Sequence, residues 1–246
     1  MEEQGIYKDA LIHYNNAYEI FDSLGDITNK TNCLSRVGLI FQDQGKYTEA
    51  LRWYERSMKF YQFLGESREM EETYFNMAMI YRDQEKYFDS LKLFDRALKI
   101  SEKIGDSKLK AEILNMIGLI YINIGDYEIA RERLENALKI AEELNDQVKI
   151  AQYNSNLGLM DLNNGDYAEA WIKFELALTI YKNLNNIEGM ADSLYKQGLT
   201  YYEQKSYIEA LNKHKEALQI LVKNKFQKHP LMKVLKNNIK LIKSRI

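Results

Sequence analysis

The chain has 246 residues, with 34 lysines and arginines against 36 aspartates and glutamates, so its formal net charge is −2. This balance argues against nucleic acid as a partner. Cys33 is the single cysteine, which excludes a disulfide framework and a CxxC metal or redox site. The acidic start does not resemble a signal peptide, and no apolar run is long enough to span a membrane. The sequence therefore predicts a cytoplasmic protein.

Residues 1–26 introduce a pattern that returns every 40 residues. A tyrosine opens each copy, a small residue follows three positions later, and a second small residue comes seven positions after that. These spacings place the residues on one face of an α-helix, called helix B here. We expect residues 1–26 to form an incomplete leading repeat with helix B only, either because it is taken from a longer array, which we favour, or because that end meets another subunit. The tyrosines are Tyr7, Tyr47, Tyr87, Tyr127, Tyr167 and Tyr207.

Residues 27–226 predict five full units, each with a helix A before helix B. Helix A carries a small residue at one phase: Gly38, Ala78, Gly118, Gly158 and Gly198. A glycine inside a helix costs about 1 kcal/mol relative to alanine, so we expect another backbone to approach closely there. Glycine or asparagine at the helix ends favours left-handed turns. Glu85 and Lys205 stand where other A-to-B turns have glycine, which predicts strain.

Residues 227–246 predict a basic amphipathic helix after Pro230, the only proline in the chain. Residues 217–246 carry a net charge of +8 and the remainder carries −10. One interpretation is a solvated cap that covers the last repeat. The alternative is head-to-tail self-association, in which residues 229–246 dock into the acidic groove of a neighbouring copy. The apolar stripe consists of Leu231, Leu235, Ile239, Ile242 and Ile246.

The repeat resembles the tetratricopeptide repeat, in the 40-residue variety of Pins-type adaptors and Gram-positive peptide-sensing regulators. HEAT and armadillo arrays have similar periods but lack the fixed tyrosine and the small-residue ladder. The resemblance implies an all-α, right-handed solenoid of antiparallel helix pairs, with helix A on the concave side. The residues that carry it are Leu114, Ile117, Gly118 and Tyr121 in helix A, with Tyr127, Ala130, Leu134 and Ala137 in helix B.

The same resemblance implies a non-enzymatic scaffold that binds a peptide or helical segment in its concave groove. Asn76 and Asn156 match the family's backbone-binding asparagine, and an amide can both donate to and accept from a peptide unit. Phe75, Tyr195 and Tyr202 are predicted anchors, and acids along the groove favour a basic target. The predicted groove residues are Arg36, Glu72, Phe75, Asn76, Arg82, Asn115, Asn123, Asn156, Asn163, Tyr195, Lys196 and Tyr202.

Catalytic signals are weak, and no catalytic residue, metal site or cofactor is predicted. His214 takes a packing phase, and no nucleotide-binding or hydrolase motif occurs. Asn154, Asp161 and Gln197 are polar at packing positions. They indicate either a ligand pocket or soft hinge, or a packing defect with paired partners. The alternative function is the peptide-sensing domain of a bacterial regulator whose effector domain lies outside this chain.

Overall fold

A computed structural model describes residues 2–226 and 228–246, with side chains from residue 6 onward. The described residues form an all-α fold of twelve helices that follow one another in antiparallel pairs. The helices are α1 (Glu2–Ser23), α2 (Ile27–Asp43), α3 (Tyr47–Leu64), α4 (Arg68–Asp83), α5 (Tyr87–Ile104), α6 (Ser107–Ile124), α7 (Tyr127–Glu143), α8 (Gln147–Asn164), α9 (Tyr167–Asn183), α10 (Ile187–Glu203), α11 (Tyr207–Lys223) and α12 (Pro230–Lys243).

The helix boundaries follow the turn chemistry of the sequence. Asp26 caps α2 by accepting the backbone N–H of Asn29 at 3.0 Å, and Asp126, Asp146 and Asn186 cap later helices in the same way. Glycine and asparagine take left-handed φ angles in the turns. The strain predicted where glycine is replaced is confirmed, because φ is 59° at Glu85 and 61° at Lys205. Glu85 and Lys205 therefore adopt a left-handed backbone conformation that costs free energy, whereas glycine would adopt it without that cost.

The small-residue ladder makes room for large side chains of helix B. A Cβ added at Gly38 would lie 2.8 Å from the Tyr54 ring, and one at Gly158 would lie 2.8 Å from the Phe174 ring. Backbone also comes close at Gly158, where the carbonyl oxygen of Ala170 would be 3.1 Å from that Cβ. A close approach does occur at these glycines, but the prediction that the approaching group is backbone is wrong for the nearest atoms, which belong to side chains of helix B. Each glycine at this phase of helix A therefore leaves room for one large side chain of helix B.

Residues 1–113 and 114–246 form two compact units. In the second unit, Met232 and Leu235 of α12 join a buried cluster with Leu194 of α10 and Leu221 of α11. Most of the apolar stripe of α12 is thus used within its own unit, as the cap interpretation requires, whereas Ile246 remains exposed. Head-to-tail docking through residues 229–246 stays a prediction that would have to use the basic face. None of the helices in the described residues has the length and hydrophobicity of a membrane span.

Candidate functional site

The A-helix face of the first unit is closed by contacts within the chain. Arg36 of α2 faces Glu72 of α4 with an Nη2–Oε2 distance of 3.4 Å. Behind this ion pair, Tyr61 donates a hydrogen bond to Asn32 Oδ1 at 2.9 Å. The space left among these residues and Asn76 is about 10 Å³, roughly the space of one water molecule. The face between α2 and α4 offers exposed polar groups, and the space among them is too small for a guest side chain.

The other predicted groove residues of the first unit, Phe75 and Arg82, also contact neighbouring side chains. The Phe75 ring meets the Phe94 ring edge-on, with centroids 5.6 Å apart, and Phe75 is half-buried. Arg82 forms an ion pair with the neighbouring Asp83 at 2.6 Å. Phe75 therefore serves core packing as well as any binding role.

Two predicted asparagines of the second unit are bonded to each other. Asn156 of α8 donates from Nδ2 to Asn115 Oδ1 of α6 at 2.7 Å, and both side chains are buried. The next A helix makes a similar link, because Lys196 of α10 donates to Ser155 Oγ at 2.9 Å and pairs with Asp192 at 2.8 Å. Hydrogen bonds between successive A helices thus hold these polar side chains in fixed positions on this face.

A cavity of about 390 Å³ opens on the A-helix face of the second unit. This volume lies within the range of small-ligand sites and accommodates a large amino-acid side chain. Gly189 in its wall lets the Tyr181 ring pack against α10, since a Cβ there would come within 2.5 Å of that ring. The lining residues are Gln152, Ser155 and Asn156 of α8, Tyr181 of α9, Glu188, Gly189, Asp192 and Lys196 of α10, then His229 and Leu231.

The charges around this cavity are arranged with acids at the mouth. The Glu188 side chain is 58% exposed and the Lys196 side chain only 16% exposed. His229 accepts the backbone N–H of Leu231 on Nδ1 at 3.2 Å, and its Nε2 lies 3.8 Å from Glu188 Oε1. Burial, together with the negative charge of Asp192, raises the pKa of Tyr181 to about 12, so its phenol stays neutral. The mouth can stabilise a cationic group.

The remaining predicted residues lie outside the lining of this cavity. Tyr195 is half-buried and stacks on His214 with centroids 5.4 Å apart. Tyr202 packs against Tyr207 at 5.5 Å. Asn123 and Asn163 are exposed near the C-terminal ends of α6 and α8. Of the residues predicted from sequence, the cavity brings together Asn156 and Lys196.

Several lining residues escape the sequence prediction. His229 and Leu231 lie where α12 begins, so the rows of A-helix positions do not contain them. Tyr181 comes from a helix B. Glu188 lies one helical turn before Asp192, which the sequence places on the concave face. That spacing is a signal from which Glu188 could have been found.

The polar packing residues have partners and do not line the cavity, although Asp161 Oδ2 and Gln197 Oε1 are buried without a hydrogen-bond partner. Asp161 is buried and forms an ion pair with Arg131, with an Nη2–Oδ1 distance of 2.6 Å. The pKa of Asp161 is nevertheless raised, because the effect of burial outweighs that of the ion pair. Gln197 donates to Glu175 at 2.7 Å. Asn154 donates to the Ile150 carbonyl of its own helix at 2.9 Å. These contacts favour the paired-defect interpretation over a ligand pocket.

The first unit contains a buried carboxylate that sequence reasoning missed. Glu71 of α4 is fully buried and accepts a hydrogen bond from the Ser101 hydroxyl, while Oε2 lacks a hydrogen-bond partner. Burial raises the pKa of Glu71 to about 7. No group of three or more histidine, cysteine, aspartate or glutamate side chains in the described parts of the chain could hold a metal ion.

The repeat geometry and the sequence together identify the family. The tetratricopeptide repeat family matches residues 2–62, 69–143 and 149–221. The chain belongs to the tetratricopeptide repeat family. Proteins with this repeat generally bind other proteins or peptides. No curated protein sequence matches the chain significantly.

Solved structures share this fold at low sequence identity. BtubC from P. vanneervenii superimposes with a TM-score of 0.75 at 19% identity, over 89% of this chain and 92% of that one. A Rap protein complexed with competence and sporulation factor gives 0.67 at 17% identity, over 98% and 75%. NprR in complex with its cognate peptide NprX gives 0.64 at 17% identity, over 94% and 70%. Identities this low establish the fold alone.

Proposed function

We propose that this chain is a non-enzymatic binding protein that captures a protein or peptide segment on an A-helix face, with a preference for basic segments. The observation that carries this proposal is the cavity of about 390 Å³ in the second unit, with carboxylates at its mouth. Tetratricopeptide repeats bind segments without catalysis, and the cavity supplies a place for one guest side chain. The other predicted groove residues remain candidates for additional contacts.

Asn156 and Glu188 have distinct roles in this proposal. The Nδ2 of Asn156 is used by Asn115, which leaves its Oδ1 to accept a hydrogen bond from a guest backbone N–H. Asp192 is partly neutralised by Lys196. Glu188 is the more exposed of the two carboxylates, and the side chain that faces it, His229, lies 3.8 Å away rather than at ion-pair contact like Lys196 and Asp192. A lysine or arginine of the guest would pair with Glu188 at the mouth.

Selection from a displayed peptide library, followed by fluorescence anisotropy on the intact chain, tests this proposal. Glu188→Gln should weaken the binding of a selected basic peptide about tenfold, because a charged hydrogen bond is lost. Glu209→Gln is a matched control, since both glutamates lie in the first turn of a helix in the same unit. Equal affinities for the two variants, or selection of acidic peptides, would contradict the proposal.

A peptide-sensing role is the second candidate, favoured by the likeness to the peptide-complexed structures of Rap and NprR. A sensor changes conformation when its peptide binds, whereas an adaptor binds without such a change. Small-angle scattering with and without the selected peptide separates these roles. Compaction on binding would favour the sensor, and unchanged scattering at saturation would favour the adaptor.

The basic face of α12 supplies a further proposed contact, with the acidic groove of another copy. The charges on that face are Lys233, Lys236, Lys240 and Lys243. An association of this kind weakens as salt screens the charges. Removal of residues 227–246 should abolish it in sedimentation experiments, and an unchanged profile would discard it.

A further inference from the structure

His229 lies where α12 begins, and its side chain forms part of the mouth of the cavity in the second unit. It lines the cavity together with Glu188 of α10. The His229 side chain is 24% exposed, so the ring is held among neighbours and still reaches solvent. Histidine is the side chain whose charge ordinarily changes between about pH 5 and 8. A change of charge at this position acts directly on the mouth of the cavity.

The hydrogen bond at Nδ1 decides which ring nitrogen carries the proton in neutral His229. Nδ1 accepts the backbone N–H of Leu231 at 3.2 Å, so this nitrogen is unprotonated. The proton of the neutral ring therefore belongs to Nε2, which lies 3.8 Å from Glu188 Oε1. This distance is too long for a hydrogen bond. Beside a neutral ring, the carboxylate of Glu188 thus keeps its full negative charge for a guest.

Protonation of His229 changes both contacts of the ring. A second proton occupies Nδ1, which then no longer accepts the Leu231 N–H, so α12 loses its side-chain cap. The charged ring is also repelled by the positive end of the dipole of α12. Its favourable partner is Glu188, because an imidazolium and a carboxylate at this separation attract each other. Protonation therefore draws the ring away from the cap and towards the carboxylate.

The other charged groups that line the cavity are already paired or stay neutral. Asp192 of α10 is paired with Lys196 at 2.8 Å. Tyr181 of α9 stays neutral, because burial raises its pKa to about 12. The side chains of α8 in the lining are uncharged. These neighbours leave Glu188 as the carboxylate for which a protonated His229 and a guest cation compete.

The segment around the start of α12 adds positive charge and one aromatic ring. Lys228 precedes His229, Lys233 lies in the first turns of α12, and both lysine side chains are exposed. Solvent and salt screen exposed charges of this kind. The Phe226 ring meets the His229 ring edge-on, with centroids 6.4 Å apart. These contacts supply no negative charge that could replace Glu188 as the partner of the ring.

We propose that His229 makes capture at this cavity dependent on pH, because the protonated ring occupies Glu188 and displaces a basic guest. This pH dependence rests on the proposed function, the capture of a basic segment at the cavity. The loss of the α12 cap acts in the same direction, since Leu231 in the first turn also lines the cavity. The affinity for a basic guest should fall as the pH drops through the range in which histidine becomes charged.

The competition between proton and guest is reciprocal, so it has a second signature. If protonation of His229 weakens guest binding, guest binding must in turn expel the proton. Calorimetric titration with a selected basic peptide, at about pH 6.5 in buffers of different ionisation enthalpy, measures this release. The binding enthalpy should depend on the buffer for the parent chain and much less for His229→Asn. A parent chain whose binding enthalpy is the same in every buffer would overturn the proposal.

Fluorescence anisotropy of the same peptide at about pH 7.5 and about pH 5.5 tests the effect on affinity, since carboxylates ordinarily titrate below this range. The parent chain should lose about three- to tenfold in affinity at the lower pH, because Glu188 is no longer free to make a charged hydrogen bond with the guest. His229→Asn can still cap α12 but has no charge to gain. The affinity of this variant should be nearly the same at the two pH values.

His214→Phe is the matched control, because it removes the other histidine of the second unit. His214 is buried and lies outside the lining of the cavity, and Phe174 holds the same phase one repeat earlier. This variant should keep the fall in affinity that the parent chain shows. A fall that disappears in His214→Phe and persists in His229→Asn would overturn the proposal.

The two failures that concern the cavity are distinguishable. A parent chain that binds the peptide equally well at both pH values would overturn the role of His229 and leave capture standing. A parent chain that binds no basic peptide at either pH would overturn the proposed function, and the role of His229 with it.

Discussion

The protonation of Glu71 should control the stability of the first unit between mildly acidic and neutral pH. Glu71 is fully buried and its carboxylate receives a hydrogen bond from Ser101. Its pKa is raised from 4.5 to about 7 in the folded chain, chiefly by burial. The folded state therefore holds a proton that the unfolded state releases between these pH values. The free energy of unfolding must fall as pH rises through this window.

The size of the effect follows from the shift in pKa. One pKa unit corresponds to 1.36 kcal/mol, so a rise from 4.5 to about 7 gives a loss of about 3 kcal/mol. The loss is absent below pH 4.5 and complete somewhat above pH 7. Glu71→Gln removes the ionisation while it keeps a polar group beside Ser101. The variant should therefore become progressively more stable than the parent chain across this window.

Urea unfolding, followed by circular dichroism at a series of pH values, measures this difference. Subtraction of the two curves removes titrations that the proteins share. Glu55→Gln is the control, because it makes the same substitution at an exposed glutamate of the same unit. If the curves for Glu71→Gln and the parent chain stay parallel from acidic to neutral pH, the account of Glu71 is refuted.

Three further substitutions test packing and strain, each by its change in the free energy of unfolding. Gly158→Ala forces a Cβ to within 2.8 Å of the Phe174 ring and should destabilise the chain by about 1–3 kcal/mol. Arg131→Leu leaves the buried Asp161 without its cation and should cost about 1–3 kcal/mol. Lys205→Gly relieves a left-handed residue with φ 61° and should stabilise by about 0.5–1 kcal/mol.

Each of these predictions has a control in the same unit. In a Phe174→Ala background, Gly158→Ala should cost much less, since the two changes are coupled. Adding Asp161→Tyr to Arg131→Leu restores residue types found in the other repeats and should recover stability. Lys215→Gly lies within helix α11 and should destabilise by about 1 kcal/mol. The packing account would be contradicted if Gly158→Ala lowered the free energy of unfolding equally with Phe174 and with Phe174→Ala. The account of strain at Lys205 would be contradicted if Lys215→Gly also stabilised the chain.

The helices were predictable because their signals are local and repeated. Tyr47 and each later tyrosine of the series mark the first residue of a helix, and the glycine phase marks the packing seam. The side chain that packs against each glycine was harder to predict. At Gly38 this side chain is Tyr54, which belongs to the next helix and cannot be identified from the helix that contains the glycine.

The site was only partly predictable, because its contacts join residues about 40 positions apart in sequence. The bond between Asn115 and Asn156 depends on the stacking register of successive A helices. His229 reaches the cavity only because α12 begins beside α10. Glu71 was detectable in principle, since the same phase holds Thr31, Ala111, Ala151 and Ala191 elsewhere. A carboxylate among small residues at a buried phase signals a perturbed group.

The most direct test of peptide capture is a titration of the isotope-labelled intact chain with a selected basic peptide, followed by amide and side-chain NMR shifts. Capture in the second unit predicts that the largest changes occur at Asn156, Glu188 and Asp192 and that they saturate together. Changes confined to the outer ends of B helices, or saturation without any response of the Asn156 side-chain amide, would contradict the account.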